Sequence, residues 1–100
     1  MRAKKAKRGA QQYPALTEPQ LRAYAEHKAI KAVQALRTNK YYELLVYMHF
    51  NPQPLILHTQ RKYPRAWVSL DRFAAYIERM LPKIKGFEVV YNKGVRDEPD

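Results

Sequence analysis

One hundred residues, 46% of them apolar and 12% aromatic, suit one small globular domain with tails and exclude a wholly disordered chain. Nineteen Lys and Arg stand against nine Asp and Glu, a formal charge of +10 that draws the chain toward an acidic partner. There is no cysteine, which excludes disulfides, cysteine zinc sites and thiol catalysis, and no apolar run nears the roughly 20 residues of a spanning helix.

Residues 1–15 form a basic arm carrying Arg2, Lys4, Lys5, Lys7 and Arg8. It has little apolar surface to bury, so disorder in the free chain is expected. It also lacks the apolar stretch of a secretory signal, and a cytoplasmic location is expected.

Thr17-Glu18-Pro19-Gln20 has the form of a capping box, with proline in the first turn. Five alanines between 23 and 35, and an apolar face of Leu21, Ala25, Ala29, Ala32, Val33 and Leu36, predict a helix over 18–37, ended by Thr38-Asn39. From 41 to 50, Tyr42, Leu44, Val46, Met48 and Phe50 alternate, which predicts a central strand. Its other face, Tyr41 to His49, is mixed. Asn51-Pro52-Gln53-Pro54 predicts a four-residue hairpin loop, and Leu55 to Gln60 the returning strand.

Arg61 to Arg65 is a basic turn, and Ala66-Trp67-Val68 a short strand. Ser69 is the natural N-cap of a second helix, with Asp71 in its first turn. Leu70, Phe73, Ala74, Ile77 and Leu81 form its apolar stripe, and Pro82 stops it. Phe87 to Asn92 is the last strand. The order α-β-β-(β)-α-β predicts a two-layer α+β domain over 16–94: a small antiparallel or mixed sheet with both helices on one face. Residues 95–100 are an acidic, frayed tail.

The bases fall in the arm and in the last third, while the middle is nearly neutral and reads as core. Arg61, Lys62, Tyr63, Arg65 and Trp67 interleave charge with aromatic rings, the pattern that neutralises phosphate and stacks on bases. A single tryptophan is more often core than contact residue, so Trp67 is expected inside and Tyr63 outside. On the second helix Arg72, Tyr76 and Arg79 are expected to share the face away from the stripe, with Lys83 and Lys85 extending it past Pro82. On the first helix Arg22, Lys28, Lys31 and Arg37 point in several directions and read as general solubility.

Signs of catalysis are missing. His27, His49 and His58 come with no H-E-x-x-H motif and no acidic cluster, which reads as structural or surface histidine. Gly9, Gly86 and Gly94 do not make a phosphate-cradling loop. No enzyme activity, metal or cofactor is expected. Position two is arginine and no cysteine is present, so no lipid anchor is expected either.

The stretch Pro64-Arg65-Ala66-Trp67-Val68-Ser69-Leu70-Asp71-Arg72-Phe73, its amphipathic helix and the strand Phe87-Glu88-Val89-Val90 resemble small partition- or stability-associated accessory proteins of conjugative plasmids and integrative elements. The likeness covers residues 55–92 and implies a bacterial mobile-element setting with a DNA-related or regulatory role. It carries no catalytic residues.

The expected function is a nucleic-acid-binding accessory protein, with DNA favoured over RNA. Contacts are expected from the arm and from Arg61, Lys62, Tyr63, Arg65, Arg72, Arg79, Lys83 and Lys85. The alternative is an adaptor or inhibitor that recognises an acidic protein. Free sheet edges leave a homodimer open.

Overall fold

A computed structural model describes residues 13–91 of the chain. The arm bases Arg2, Lys4, Lys5, Lys7 and Arg8 and the acidic tail 95–100 lie outside the described residues.

The domain is built around strand β3 (Tyr41–Met48), which is flanked on one side by β2 (Ile30–Thr38) and on the other by β4 (Asn51–Leu57). β1 (Ala15–Leu16) adds in parallel to the outer edge of β4, and β6 (Glu88–Tyr91) in parallel to the outer edge of β2. β5 (Ala66–Trp67) pairs with β3 beyond the end of β4, at Tyr42 and Glu43. The result is a six-stranded mixed sheet of order β1-β4-β3-β2-β6 with β5 beside β3.

Helices α1 (Glu18–Glu26) and α2 (Leu70–Met80) cover one face. Leu21, Phe73, Tyr76, Ile77 and Leu81 join Val33, Ala35, Leu44, Val46, Met48, Leu57 and Trp67 in a single buried cluster. This is the expected two-layer α+β arrangement, with the central strand expected over 41–50 ending at Met48. The opposite face has a smaller core of Leu36, Leu45 and Ile56, against which Tyr13, Tyr47 and Val90 pack. Both faces of β3 are therefore buried, which suits an apolar strand interrupted by a single carboxylate, Glu43.

Both helix starts follow their sequence signals. Thr17 Oγ1 accepts from the Gln20 amide at 3.3 Å, and the Gln20 side chain accepts from the Thr17 amide at 2.9 Å, closing the capping box. Ser69 Oγ accepts from the Arg72 amide at 3.2 Å.

The expected helix over 18–37 is corrected. α1 ends at Glu26, and residues 30–38 are strand β2. The Lys28 amide donates to the Ala25 carbonyl at 3.1 Å and the Ala29 amide to the Tyr24 carbonyl at 2.9 Å. These are the paired bonds of a Schellman termination, with Lys28 left-handed at φ 57°. Glycine normally marks that position; a lysine there hides the stop. Beyond it, β2 has ladder partners on both sides, from β3 and β6, and this outweighs the helix propensity of its alanines. Asn39, expected to stop a helix, instead turns the β2–β3 hairpin at φ 59°.

The second hairpin is corrected too. Its turn is His49-Phe50, between paired Met48 and Asn51, and Asn51-Pro52-Gln53-Pro54 belongs to β4. The register shifts between Val46 and Met48, so residues 52–54 stand opposite Tyr47 alone. Prolines that would break a regular ladder are accommodated in this bulge, where β1 does not reach. His49 and His58 thus lie just beyond opposite ends of β4.

Candidate nucleic-acid interface

Between β4 and β5 the chain leaves the sheet in a short excursion. His58 and Pro64 bridge its base, and the Arg65 amide returns to the Leu57 carbonyl at 2.8 Å. Within the loop the Thr59 amide donates to the Tyr63 carbonyl at 2.7 Å and the Lys62 amide to the Thr59 carbonyl at 2.9 Å. Thr59 Oγ1 also accepts from the Arg61 amide at 3.2 Å. These local bonds tie down the loop backbone and turn the side chains at its tip outward. Gln60, Arg61 and Lys62 are exposed, and Tyr63, expected on the outside, is 67% exposed.

Trp67 is the opposite case. It is 7% exposed and packs edge-on against Phe73 at 5.2 Å between ring centroids and against Tyr76 at 4.9 Å, the core role expected of it.

Tyr76 corrects the reading of the second helix. It is buried rather than set on an outward face with Arg72 and Arg79. Its hydroxyl donates to Glu18 Oε1 at 2.9 Å, tying α2 to the first turn of α1. Burial, then this hydrogen bond and the Glu18 charge, push the phenol above its ordinary pKa; Arg65 and Arg79 pull it back in part. Arg65 lies over both Trp67 and Tyr76, each at 5.1 Å, and Arg79 over Tyr76 at 5.3 Å from its ring centroid. Arg72 is exposed on the same helix.

Glu18 gathers the bases around itself. Arg22 pairs with its Oε2 at 3.1 Å and Arg65 with its Oε1 at 3.7 Å. Between α1 and the loop lies a cleft of about 940 Å³, lined by Thr17, Glu18, Arg22, His58, Lys62 and Arg65 among others. Three bases against one carboxylate leave the cleft positive, and the N-terminal end of α1 adds a partial positive charge. Partial burial pushes the His58 pKa down and so favours the neutral imidazole, opposed by a hydrogen bond with the Lys62 backbone.

The residues expected to form one patch are divided. Arg61, Lys62 and Tyr63 share the loop tip, and Arg65 and Arg79 meet at the Tyr76 ring. Lys83 lies in a separate groove with residues of α1 and β2, and Lys85 is exposed beyond it. Arg22, set aside in sequence as general solubility, lines the loop cleft. Its i, i+4 spacing to Glu18, a residue already in the capping box, was the available signal. No cluster of three or more His, Asp or Glu able to hold a metal occurs among the described residues, and none of their helices is long and apolar enough to cross a membrane. No family model, curated protein or solved structure matches the chain.

Proposed function

We propose that the protein is a non-enzymatic nucleic-acid-binding accessory protein, with DNA the favoured ligand and a bacterial mobile element its setting. The observation that carries this reading is the 58–65 loop. Arg61, Lys62 and Tyr63 stand exposed at its tip, beside a cleft lined by Arg22, Lys62 and Arg65. Bases of this density neutralise phosphates and release counterions, and an exposed tyrosine among them has a base to stack on or a groove to enter. The arm bases Arg2, Lys4, Lys5, Lys7 and Arg8 add five charges that follow a phosphate backbone without needing a folded shape.

The test is binding of the full chain to labelled duplex and single-stranded DNA across a salt series. Two variants accompany it: Arg61→Ser with Lys62→Gly, and a full-length chain whose five arm bases are serine. Each base withdrawn from a phosphate should lower the slope of log K against log salt by about 0.9 on duplex DNA. The loop variant should therefore lower it by about 1.8. An affinity indifferent to salt, or slopes untouched in both variants, refutes the reading and turns the search to an acidic protein partner. Arg65 is left intact, because its stacking on Trp67 and Tyr76 makes its loss a stability change as well.

A further inference from the structure

A second concavity, about 640 Å³, lies at the far end of α1 from its capping box, where the last turns of both helices meet the start of β2. Its floor is aliphatic, with Ala25 from α1, Ile30 from β2, and Met80, Leu81 and Ile84 from the end of α2 and the turn that follows. Its rim carries Arg22, Lys28, Lys31 and Lys83, with Glu26 the one carboxylate in the lining. These bases come from α1, the turn after it, β2 and the turn after α2, and only the fold brings them to one place.

Their charge is not used up locally. The carbonyl ends of α1 and α2 each present about half a negative charge, and Glu26 presents one. Arg22 is already paired with Glu18, so against the other three bases about one positive charge remains uncompensated around an apolar floor. We propose that this groove docks an acidic peptide segment of a partner protein, one that carries aliphatic or aromatic anchor residues between its carboxylates.

Three observations select that occupant. Nucleic acid held in a groove stacks its bases on aromatic faces, and this lining has no Phe, Tyr or Trp and a single imidazole, His49; aliphatic side chains with a methionine among them suit side-chain anchors. The rim charge attracts carboxylates and repels basic segments, so it supplies selectivity as well as attraction. Lys28 is also held left-handed where glycine is the ordinary choice, which places a base at the rim at a conformational cost. The proposal goes beyond the nucleic-acid reading and does not depend on it: the two linings have only Arg22 in common, and the loop tip and the groove floor share no residue.

The experiment is fluorescence anisotropy of the full chain with a short labelled peptide of aspartates interrupted by two leucines. The same peptide with serines for the leucines, and a deoxythymidine oligonucleotide of equal length, serve as comparisons. The leucine peptide should bind about tenfold or more tighter than the serine peptide. Lys28→Gly combined with Lys31→Ser should weaken it about tenfold, with the unfolding midpoint no lower than that of the parent. Arg61→Ser should leave peptide binding unchanged. Amide shifts on titration should centre on Ala25, Ile30, Leu81 and Ile84. Equal binding of both peptides and the oligonucleotide would reduce the groove to part of a general polyanion surface and overturn the proposal. So would the absence of saturable binding, or shifts centred on the 58–65 loop. Occupation by a second copy, seen as dimerisation that the peptide reverses, overturns it as well. The same holds for occupation by the chain's own Asp97, Glu98 and Asp100, seen as tighter peptide binding once they are neutralised. Failure of DNA binding with groove binding intact would refute the nucleic-acid reading alone.

Discussion

Lys28 and Tyr76 show how single residues set this fold. Lys28 sits at φ 57° in the C-terminal motif of α1, where a side chain costs about 1 kcal/mol or more relative to glycine. Glycine gives back about 0.4–1 kcal/mol of that through the freer unfolded chain. Lys28→Gly should therefore not destabilise the protein and should raise its thermal midpoint by up to a few degrees; a clear fall in calorimetry would show that the lysine side chain itself holds the turn. Tyr76 joins α2 to α1 through Glu18, and Tyr76→Phe should cost about 1 kcal/mol at neutral pH by urea titration. The pH dependence has a definite sign. Burial holds the folded phenol protonated above its ordinary pKa of about 10, while the unfolded chain gives up its proton there. The contribution of Tyr76 is complete below about pH 10 and declines as pH rises further. The stability gap between parent and Tyr76→Phe should close from that point; a gap that widens would contradict the assigned cause. Tyr47 is raised in the same direction, by burial first and then by Tyr13 and Glu88, and adds to the alkaline loss.

At the scale of elements, the sheet is less one-sided than an alternating strand pattern suggests. Tyr42, Leu44, Val46 and Met48 of β3 point to the helices, and their alternation is plain in sequence. Leu45, on the other face, is also 2% exposed, because Leu36 from β2 and Ile56 from β4 close around it. Leu45→Ala should thus cost about 2–5 kcal/mol, as much as Leu44→Ala; a solvated position would cost far less. Chemical denaturation of the two variants side by side decides it. The α1–β2 boundary follows the same logic. Within residues 18–37 the alanines favour helix, and no local residue type announces the stop. What ends α1 is a backbone motif made with a lysine, and what makes β2 a strand is the pair of ladders waiting on either side.

For the whole molecule, the charge of +10 acts in two opposite ways. It drives association with polyanions, which salt weakens, and it sets the folded chain against itself, which salt relieves. Across one salt series, the thermal midpoint should rise over the range in which DNA affinity falls. That opposition separates loss of binding from loss of fold. The helical layer carries positive clefts at both ends of α1. The one at its N-terminal end is joined to an exposed basic loop, and the one at its C-terminal end is floored by aliphatic side chains. Arg22 lines both.

The sequence alone determined the class of the fold, the central strand, both helix N-caps, the buried Trp67 and the exposed Tyr63. Each rests on a signal confined to a few neighbouring residues: a capping box, an alternation, a 3.6-residue stripe, a lone tryptophan. It also determined the excess of positive charge, which is a sum and needs no geometry. The tertiary structure decided the rest. It ended α1 at Glu26, placed two prolines in a strand bulge, turned Tyr76 inward to Glu18 and divided the bases between two clefts. Those outcomes depend on which distant strand or side chain is close enough to take a backbone hydrogen bond or share a charge. Partners such as Glu18 and Tyr76, 58 residues apart, are joined only once the chain has folded.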